Sequence, residues 1–381
     1  MIPLAVPNLT GNEKKYLDNC IDTTFVSSVG EYVTEFEKLV AEHTGSVDAV
    51  ATSSGTTGIH AALTSVGVKH GDLVIIPTFT FIASANAVRH CGADPWLIDI
   101  NSSDWCLNPD LVREELSKHC VFGADGQLYH KDSGKRVAAL MPVYTLGNIP
   151  DMIKLRQIAD EYHLLLIADA ACAIGADLYG KQIGELADLS ILSFNGNKTI
   201  TCGGGGAIVG TDKLLLDKVR HLTTTARVWP DYDFDEVGFN YRMTNIQAAV
   251  GVAQIERLDS FIATKRMVRS YYSDKLNSLV KDNISFFPTT VGSSCWFSGI
   301  VLPEGSDLSK AKEICAKMRE KNIETRSFWK PVHLQAPYKD CPTSDLRVSE
   351  SLWQRIITLP CSTNITKEEL DVVITSLLSV I

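Results

Sequence analysis

The chain lacks the short, regular spacings that mark several common classes of protein. Its 10 cysteines include no Cys-x-x-Cys pair and its 9 histidines no His-x-His or His-Glu-x-x-His group, so we expect no metal site. Lysine and arginine form no long run and the net charge is −9, which disfavours a nucleic-acid partner. A Gly-x-Gly-x-x-Gly motif is also absent, which removes support for a nicotinamide cofactor.

Long hydrophobic segments are missing too. No stretch of about 18 apolar residues could span a membrane, and residues 1–7 lack the charged start and apolar centre of a secretory signal. Scattered cysteines without a disulfide pattern are typical of a reducing compartment. We therefore expect a cytoplasmic protein with no membrane partner. Because the chain is acidic, any anionic ligand must be held by a few local groups, such as helix N-termini.

Between residues 47 and 210, short apolar runs alternate with helical patterns. Such alternation predicts an α/β fold with a mostly parallel, buried sheet, in which ligands bind at the carboxyl ends of the strands. The predicted strands cover residues 47–52, 73–76, 94–99, 137–143, 164–168, 189–194 and 207–210.

After about residue 245 the pattern changes. Residues 246–265 predict one long amphipathic helix, and the remainder mixes strand-like and helical runs as in a smaller α+β domain. We therefore predict a large domain over residues 1–250 and a small domain over residues 251–381. The polar, glycine-containing segment 120–136 predicts an excursion on the surface.

One lysine, Lys198, lies between a predicted strand and the glycine run Gly203–Gly206. Lysines usually reach solvent, so one interpretation is an exposed residue at a strand end. The other is a lysine that forms a Schiff base, which needs a confined apolar setting that disfavours the charged amine. The four glycines favour this second interpretation, since they allow the close backbone approach that a bulky cofactor requires.

A carboxylate, Asp169, ends the apolar run that begins at Leu164. A charge at the end of a buried strand is costly unless it is paired. It could simply cap the following turn. It could also face the pyridinium nitrogen of pyridoxal phosphate (PLP), where a carboxylate keeps the ring protonated and electron-withdrawing.

The third element is a strand that runs through Ser54, Gly55, Thr56 and Thr57 into a helical pattern. Free N–H groups and hydroxyls at a helix start suit a phosphate, although plain N-capping is the simpler alternative. Residues 175–182 nearly match a phosphate-binding P-loop, but Gln182 stands where a hydroxyl is needed, so this segment predicts a β-turn.

Together these residues resemble the DegT/DnrJ/StrS group of sugar-nucleotide aminotransferases. The resemblance implies the aspartate-aminotransferase-type fold, with a mostly parallel seven-stranded sheet in the large domain, and PLP as the cofactor. It runs nearly end to end and covers Ile2–Leu4, Ser53–Ala62, Pro77–Phe81, Asp169–Ala171, Ser193–Lys198, Gly203–Gly206, Gly238–Ala249 and Trp329–Tyr338.

The resemblance also implies roles for individual residues. Lys198 corresponds to the lysine that holds the cofactor and later moves a proton, Asp169 to the pyridinium partner, and Phe81 to the aromatic residue stacked on the ring. Contacts with the cofactor phosphate are implied for Gly55, Thr56, Thr57, Ser193 and, from a neighbouring subunit, Asn240. Contacts with the sugar nucleotide are implied for Ser28, Gly30, Arg242, His333 and Tyr338. For His333, the alternative is a histidine in an exposed loop with no such contact. A homodimer with shared active sites follows.

Two positions depart from the group. Cys172 stands where its members usually have His, Gln or Glu, and a thiol is a weak hydrogen-bond partner, so a contact with the cofactor or substrate is altered. The phosphate segment reads SGTTG instead of NGTAA, which keeps the threonine hydroxyl and the backbone amides.

The four glycines, the segment 120–136 and the sequence WKPVHLQ resemble one branch of the group. That branch transfers an amino group from glutamate to C4 of UDP-linked 4-keto-6-deoxy-N-acetylhexosamines. The alternative is a perosamine-synthase-like enzyme acting on GDP-4-keto-6-deoxymannose. A PLP-dependent sugar dehydratase is disfavoured because those relatives carry histidine in place of Lys198, and a non-catalytic PLP-binding regulator is disfavoured by the intact lysine and aspartate.

Overall fold

The computed structural model describes residues 1–277 and 283–381. The α-helices are α1 (Glu13–Asp22), α2 (Glu31–Thr44), α3 (Gly55–Ser65), α4 (Ile82–His90), α5 (Pro109–His119), α6 (Met152–Glu161), α7 (Lys213–Thr223), α8 (Asn245–Ile255), α9 (Leu258–Lys275), α10 (Leu308–Glu320), α11 (Arg347–Leu352) and α12 (Lys367–Leu378). Among the described residues, no helix is both long and apolar enough to cross a bilayer.

The β-strands fall into one large sheet, one small sheet and three short ribbons. They are β1 (Asp48–Thr52), β2 (Leu73–Pro77), β3 (Asp94–Ile98), β4 (Cys120–Phe122), β5 (Leu128–His130), β6 (Val137–Leu140), β7 (Leu165–Asp169), β8 (Asp177–Leu178), β9 (Lys181–Gln182), β10 (Leu189–Ser193), β11 (Gly206–Gly210), β12 (Arg227–Val228), β13 (Asp233–Phe234), β14 (Ser285–Phe286), β15 (Ser298–Val301), β16 (Arg326–Ser327) and β17 (Ile356–Leu359).

The large sheet has seven strands in the order β1-β11-β10-β7-β6-β2-β3. All of them run in one direction except β11, which pairs antiparallel with both of its neighbours. Every residue of β2 is buried, as expected for a continuous apolar run covered by helices on both faces. The prediction of a mostly parallel seven-stranded α/β sheet is therefore confirmed, with strand ends within a few residues of the predicted ones.

The topology brings several chain segments to one edge of this sheet. The carboxyl ends of β1, β7 and β10 lie there, and each leads directly into a segment singled out by the sequence. Because β11 runs the opposite way, its first residue, Gly206, pairs with Thr52 at the end of β1 and with Ser193 at the end of β10. The glycine run therefore enters the sheet at the same edge.

The small sheet is antiparallel throughout, in the order β14-β15-β17-β16. Its apolar residues form a core with α9, α10 and α12. This core also contains residues from the first half of the chain, among them Leu4, Phe79 and Leu146. The division into residues 1–250 and 251–381 stays a prediction.

The prediction of one helix over residues 246–265 is wrong, because α8 ends at Ile255 and α9 begins at Leu258. Tertiary contacts accompany the break. The Glu256 carboxylate accepts hydrogen bonds from Asn12 and Tyr16, and Arg257 donates to Thr10. Helical periodicity is a local pattern, so it gives no information about hydrogen bonds between distant segments.

Candidate active site

A cavity of about 530 Å³ lies at the carboxyl edge of the large sheet. Its walls also include Arg326 and Ser327 of β16 and Thr358 of β17, so both sheets contribute to it. Half of the residues named as candidates from the sequence line this one cavity: Gly55, Thr56, Phe81, Asp169, Cys172, Ser193 and Lys198.

Lys198 lies in the loop after β10 and points its amine at two side chains. The Nζ atom is 3.2 Å from Cys172 Sγ and 4.0 Å from the centre of the Trp296 ring. The backbone of this loop is also fixed, since the Lys198 amide donates to the Asn195 carbonyl at 3.0 Å. The lysine is therefore held inside the cavity and is not an extended strand-end side chain.

Asp169 ends β7 on the floor of the cavity and is only 5% exposed. Ser84 Oγ donates to one carboxylate oxygen at 2.6 Å and the Ala171 amide to the other at 3.1 Å. Burial raises the pKa of this carboxyl above its ordinary value, while these two bonds and the Lys198 charge act in the opposite direction. Such a group is poised to interact with a positively charged ring nitrogen.

Cys172 is buried beside the lysine. Burial raises the pKa of its thiol, against the opposing effect of the Lys198 amine. The Cys172 carbonyl accepts a hydrogen bond from Ser294 Oγ at 2.9 Å. The segment that contains Ser294 therefore fixes the backbone of Cys172 and also carries Trp296.

The N-terminus of α3 forms one wall of the cavity. Ser54 caps the helix by accepting from the Thr57 amide, and the Thr57 hydroxyl closes the capping box on the Ser54 amide. Gly55 and Thr56 belong to the first turn, where backbone N–H groups have no acceptor within the helix. Their amides and the positive end of the helix dipole suit a phosphate. Thr57 itself lies outside the cavity lining, and its hydroxyl is used in the cap.

An aromatic wall closes the other side of the cavity. Phe81 lies at its mouth, 56% exposed, with its ring 6.2 Å from that of Trp329. Trp329 in turn stacks on Phe328 at 4.2 Å and lies 6.2 Å from Trp296. Such a wall excludes water from one face of a planar ligand.

Trp296 and Ser84 are among the functional candidates that sequence reasoning missed. Both follow unremarkable local patterns, and only the folded chain brings them to the lysine and the aspartate. Trp296 contacts Lys198 through its ring, which lies 4.0 Å from Nζ, and contacts the preceding residue, Asn197, whose carbonyl accepts from Trp296 Nε1–H at 2.8 Å.

We expect Trp296 to act as a positioning residue for Lys198. Trp296→Phe keeps a ring and loses the bond to Asn197, so kcat should fall about fivefold, as expected for a hydrogen bond worth about 1 kcal/mol. Trp296→Leu also loses the cation–π contact, so its kcat should fall further. The measurement is steady-state kcat and KM for both variants. A merely structural tryptophan would instead lower thermal stability while leaving kcat per folded enzyme unchanged.

Two other predicted residues, His333 and Tyr338, lie outside the cavity lining. His333 Nδ1 is 2.7 Å from Thr78 Oγ1, and its Nε2 is 3.2 Å from a Glu350 oxygen. Burial lowers the pKa of this histidine, against the opposing effect of Glu350. Tyr338 is buried and its hydroxyl donates to the Asn86 side chain.

The remaining predicted residues lie elsewhere in this single chain. Arg242 forms an ion pair with Glu37 at 2.8 Å. The same Glu37 carboxylate accepts a hydrogen bond from the Ala51 amide. Gly30 packs so tightly against Asn245 that an added Cβ would lie 2.2 Å from its side chain. Ser28 and Asn240 are exposed.

Comparisons with known proteins agree with this geometry. A GDP-perosamine synthase of Caulobacter vibrioides is 37% identical over 99% of this chain and 97% of its own length. A GDP-perosamine synthase of Escherichia coli O157:H7 is 35% identical over 97% of this chain and 95% of its own length.

Among solved structures, DesV of S. venezuelae, in complex with a ketimine intermediate, superposes with a TM-score of 0.84. It is 26% identical, and the match covers 97% of this chain and 94% of DesV. The sequence profile of the DegT/DnrJ/EryC1/StrS aminotransferase family matches residues 7–378. The chain therefore belongs to the DegT/DnrJ/EryC1/StrS aminotransferase family.

Proposed function

We propose that this aminotransferase uses PLP to move an amino group from glutamate to C4 of GDP-4-keto-6-deoxymannose. The observation that carries the proposal is the shared cavity, which brings together a confined lysine, a buried carboxylate and an open helix N-terminus. These are the three groups that PLP requires: an amine for its aldehyde, an anion for its ring nitrogen and a cradle for its phosphate.

The donor set fits the cofactor. A carboxylate can accept about four hydrogen bonds, and Asp169 receives one at each oxygen, from Ser84 and Ala171. Capacity therefore remains for a charged ring nitrogen. Gly55 and Thr56 line the same cavity, and free backbone amides at a helix N-terminus bind anions. When bound, PLP supplies a ring that accepts the electron pair released at the reacting carbon.

The chain's own residues account for binding and proton transfer. Lys198 would hold the cofactor through Nζ while no donor is bound. With the donor in place, the free Nζ would take the proton from the donor α-carbon, and a water molecule would supply the carbonyl oxygen of 2-oxoglutarate while the amino group stays with the cofactor. In the second half-reaction Nζ delivers a proton to C4 of the sugar, in the reverse sense. Throughout, Asp169 keeps the ring nitrogen protonated.

The choice of nucleotide rests on the relatives. Two of them, with 37% and 35% identity over nearly the whole chain, are GDP-perosamine synthases. They support the GDP-linked alternative better than the UDP-linked N-acetylhexosamine that the sequence first suggested. A UDP-linked substrate is therefore the second candidate.

A substrate panel tests the proposal. The purified enzyme, PLP and glutamate are incubated separately with GDP-4-keto-6-deoxymannose and with UDP-4-keto-6-deoxy-N-acetylglucosamine, and products are identified by mass spectrometry. We expect the amino sugar from the GDP-linked ketone, with a kcat/KM at least about tenfold above that for the UDP-linked one. Preference for the UDP-linked ketone would overturn the choice of nucleotide. Amination of neither would overturn the proposed function.

A homodimer with shared sites is part of the proposal. The ribbon β12–β13 and the segment after it expose large apolar side chains, with Trp229, Tyr232 and Val237 77%, 81% and 87% exposed. Asn240 follows on the same segment, and a second copy of the chain would cover these residues and bring Asn240 to the neighbouring cofactor phosphate. Sedimentation equilibrium should therefore give twice the mass of the chain.

A further inference from the structure

Two residues with positively charged side chains, Lys198 and Arg326, are among the described residues that line the cavity. Both proposed substrates are anions, since glutamate carries carboxylates and the sugar nucleotide a diphosphate. Lys198 is committed to the cofactor and to proton transfer. The chain as a whole carries a net charge of −9, so it offers no general attraction for either substrate.

On the basis of the proposed function, we propose that Arg326 binds an oxyanion of a substrate at the mouth of this cavity. The chemistry is a guanidinium that donates to a carboxylate or phosphate oxygen. The two sources of that oxyanion, the amino donor and the sugar nucleotide, enter in separate half-reactions.

The backbone of Arg326 is fixed by the small sheet. Arg326 pairs with Thr358 of β17, and Thr358 Oγ1 donates to the Arg326 carbonyl at 3.0 Å. Its neighbours Ser327, Phe328 and Trp329 also line the cavity, so this whole segment forms its outer wall. The guanidinium is thus presented from a rigid element beside the aromatic wall.

Glu324 orients the guanidinium without using all of its donors. One carboxylate oxygen accepts from Arg326 Nε, at 3.2 Å, and from Nη2, while the other accepts from the Leu4 amide at 3.0 Å. These bonds lower the pKa of the Glu324 carboxyl. A guanidinium has five N–H donors. The Nη1 side therefore stays available, and the side chain is 63% exposed to an incoming ligand.

An exposed ion pair with no further role is the simpler interpretation, and such pairs contribute little to stability. The chain offers a matched control for it. Arg347 pairs with Asp345, two residues before it, just as Arg326 pairs with Glu324. The Arg347 side chain is 87% exposed and lies outside the lining of the active-site cavity. The variants Arg326→Gln and Arg347→Gln therefore remove the same charge from the same kind of pair.

The experiment measures each half-reaction separately on the PLP-loaded enzyme. The rate of the absorbance change is followed against glutamate concentration, and then the amine-loaded enzyme is titrated with the keto-sugar nucleotide. For Arg326→Gln we expect the apparent Kd of one of the two substrates to rise about 10- to 100-fold, the range for a charge-assisted hydrogen bond. A higher Kd for glutamate would identify its carboxylate as the ligand of Arg326. A higher Kd for the sugar nucleotide would identify its diphosphate as that ligand. Arg347→Gln should leave both within twofold.

Unchanged Kd values for both substrates in Arg326→Gln would overturn the proposal. Failure of the proposed function is recognised separately, because the native enzyme would then fail to complete at least one of the two half-reactions. Calorimetry with GDP alone adds a readout that needs no turnover. If the phosphate is the ligand, GDP affinity falls in Arg326→Gln and not in Arg347→Gln, whereas equal affinities exclude the phosphate.

Discussion

Lys198→Ala should reduce turnover at least about 10³-fold, because it removes the amine that we propose both holds the cofactor and moves the proton. No other lysine lies among the described residues that line the cavity. Steady-state amination of the sugar nucleotide is the first measurement. The second is borohydride reduction of the PLP-loaded enzyme followed by peptide mass spectrometry, which should find the cofactor on residue 198 in the native enzyme and on no residue in the variant.

Lys312→Ala is the matched control, since Lys312 is an exposed lysine on α10 and lies outside the cavity lining. It should keep both turnover and the cofactor label. Finding the label on another lysine of the native enzyme, or near-native turnover in Lys198→Ala, would contradict the assignment of this residue.

Asp169→Asn should have the second largest effect. The substitution keeps the size of the side chain and removes its negative charge, so a protonated ring nitrogen loses its partner. Breaking a buried charge pair costs about 3 kcal/mol or more, equivalent to about a 10²-fold fall in kcat. The Ala171 amide, which now donates to a carboxylate oxygen at 3.1 Å, would meet either an amide N–H or a weaker acceptor.

The measurements are kcat and the fraction of PLP retained after dialysis. Ser84→Ala provides a graded comparison, because it deletes one neutral donor to the same carboxylate and should cost only about 1 kcal/mol. If Asp169→Asn retained native kcat, the carboxylate would not be the partner of the ring nitrogen. If Ser84→Ala lowered kcat as much as Asp169→Asn does, the Ser84 hydroxyl would have a role beyond orienting the carboxylate.

The sheet could be read from the sequence because its strands are continuous apolar runs separated by helical patterns. Leu189–Ser193, for example, is a short, mostly apolar run, and such a run predicts a strand covered on both faces. The structure agrees, since this strand is almost entirely buried. The position of Lys198 after one strand and of Asp169 at the end of another then follows from the rule that parallel strands end at one edge.

Contacts between distant segments could not be predicted in this way. Trp296 reaches Lys198 from almost 100 residues away in sequence, and nothing near Trp296 signals it. The same limit applies to other side-chain clusters. Donor atoms of His119 at the end of α5 and of His130 and Asp132 at and after β5 lie within 4.8 Å of one another, and nothing in the sequence indicated that α5 and this ribbon meet.

Some predicted residues were placed by resemblance and have other partners in the single chain. Arg242 is paired with Glu37, and Asn240 is exposed. Resemblance assigns these positions to a ligand or to a neighbouring subunit, and a pattern within one chain carries no information about either.

The reversed direction of β11 has a consequence for how the chain folds during synthesis. β1 is the first strand in the order of the large sheet and its neighbouring strand is β11, with Asp48 paired to Gly210, while a single antiparallel bridge joins Thr52 to Arg242. Until residues 206–210 leave the ribosome, β1 and the turn that follows it have no neighbouring strand, and such long-range pairing forms slowly. The proposed phosphate cradle at Gly55 and Thr56 should thus be among the last parts next to the large sheet to become ordered. Nascent chains that end before residue 206 should be unable to retain PLP.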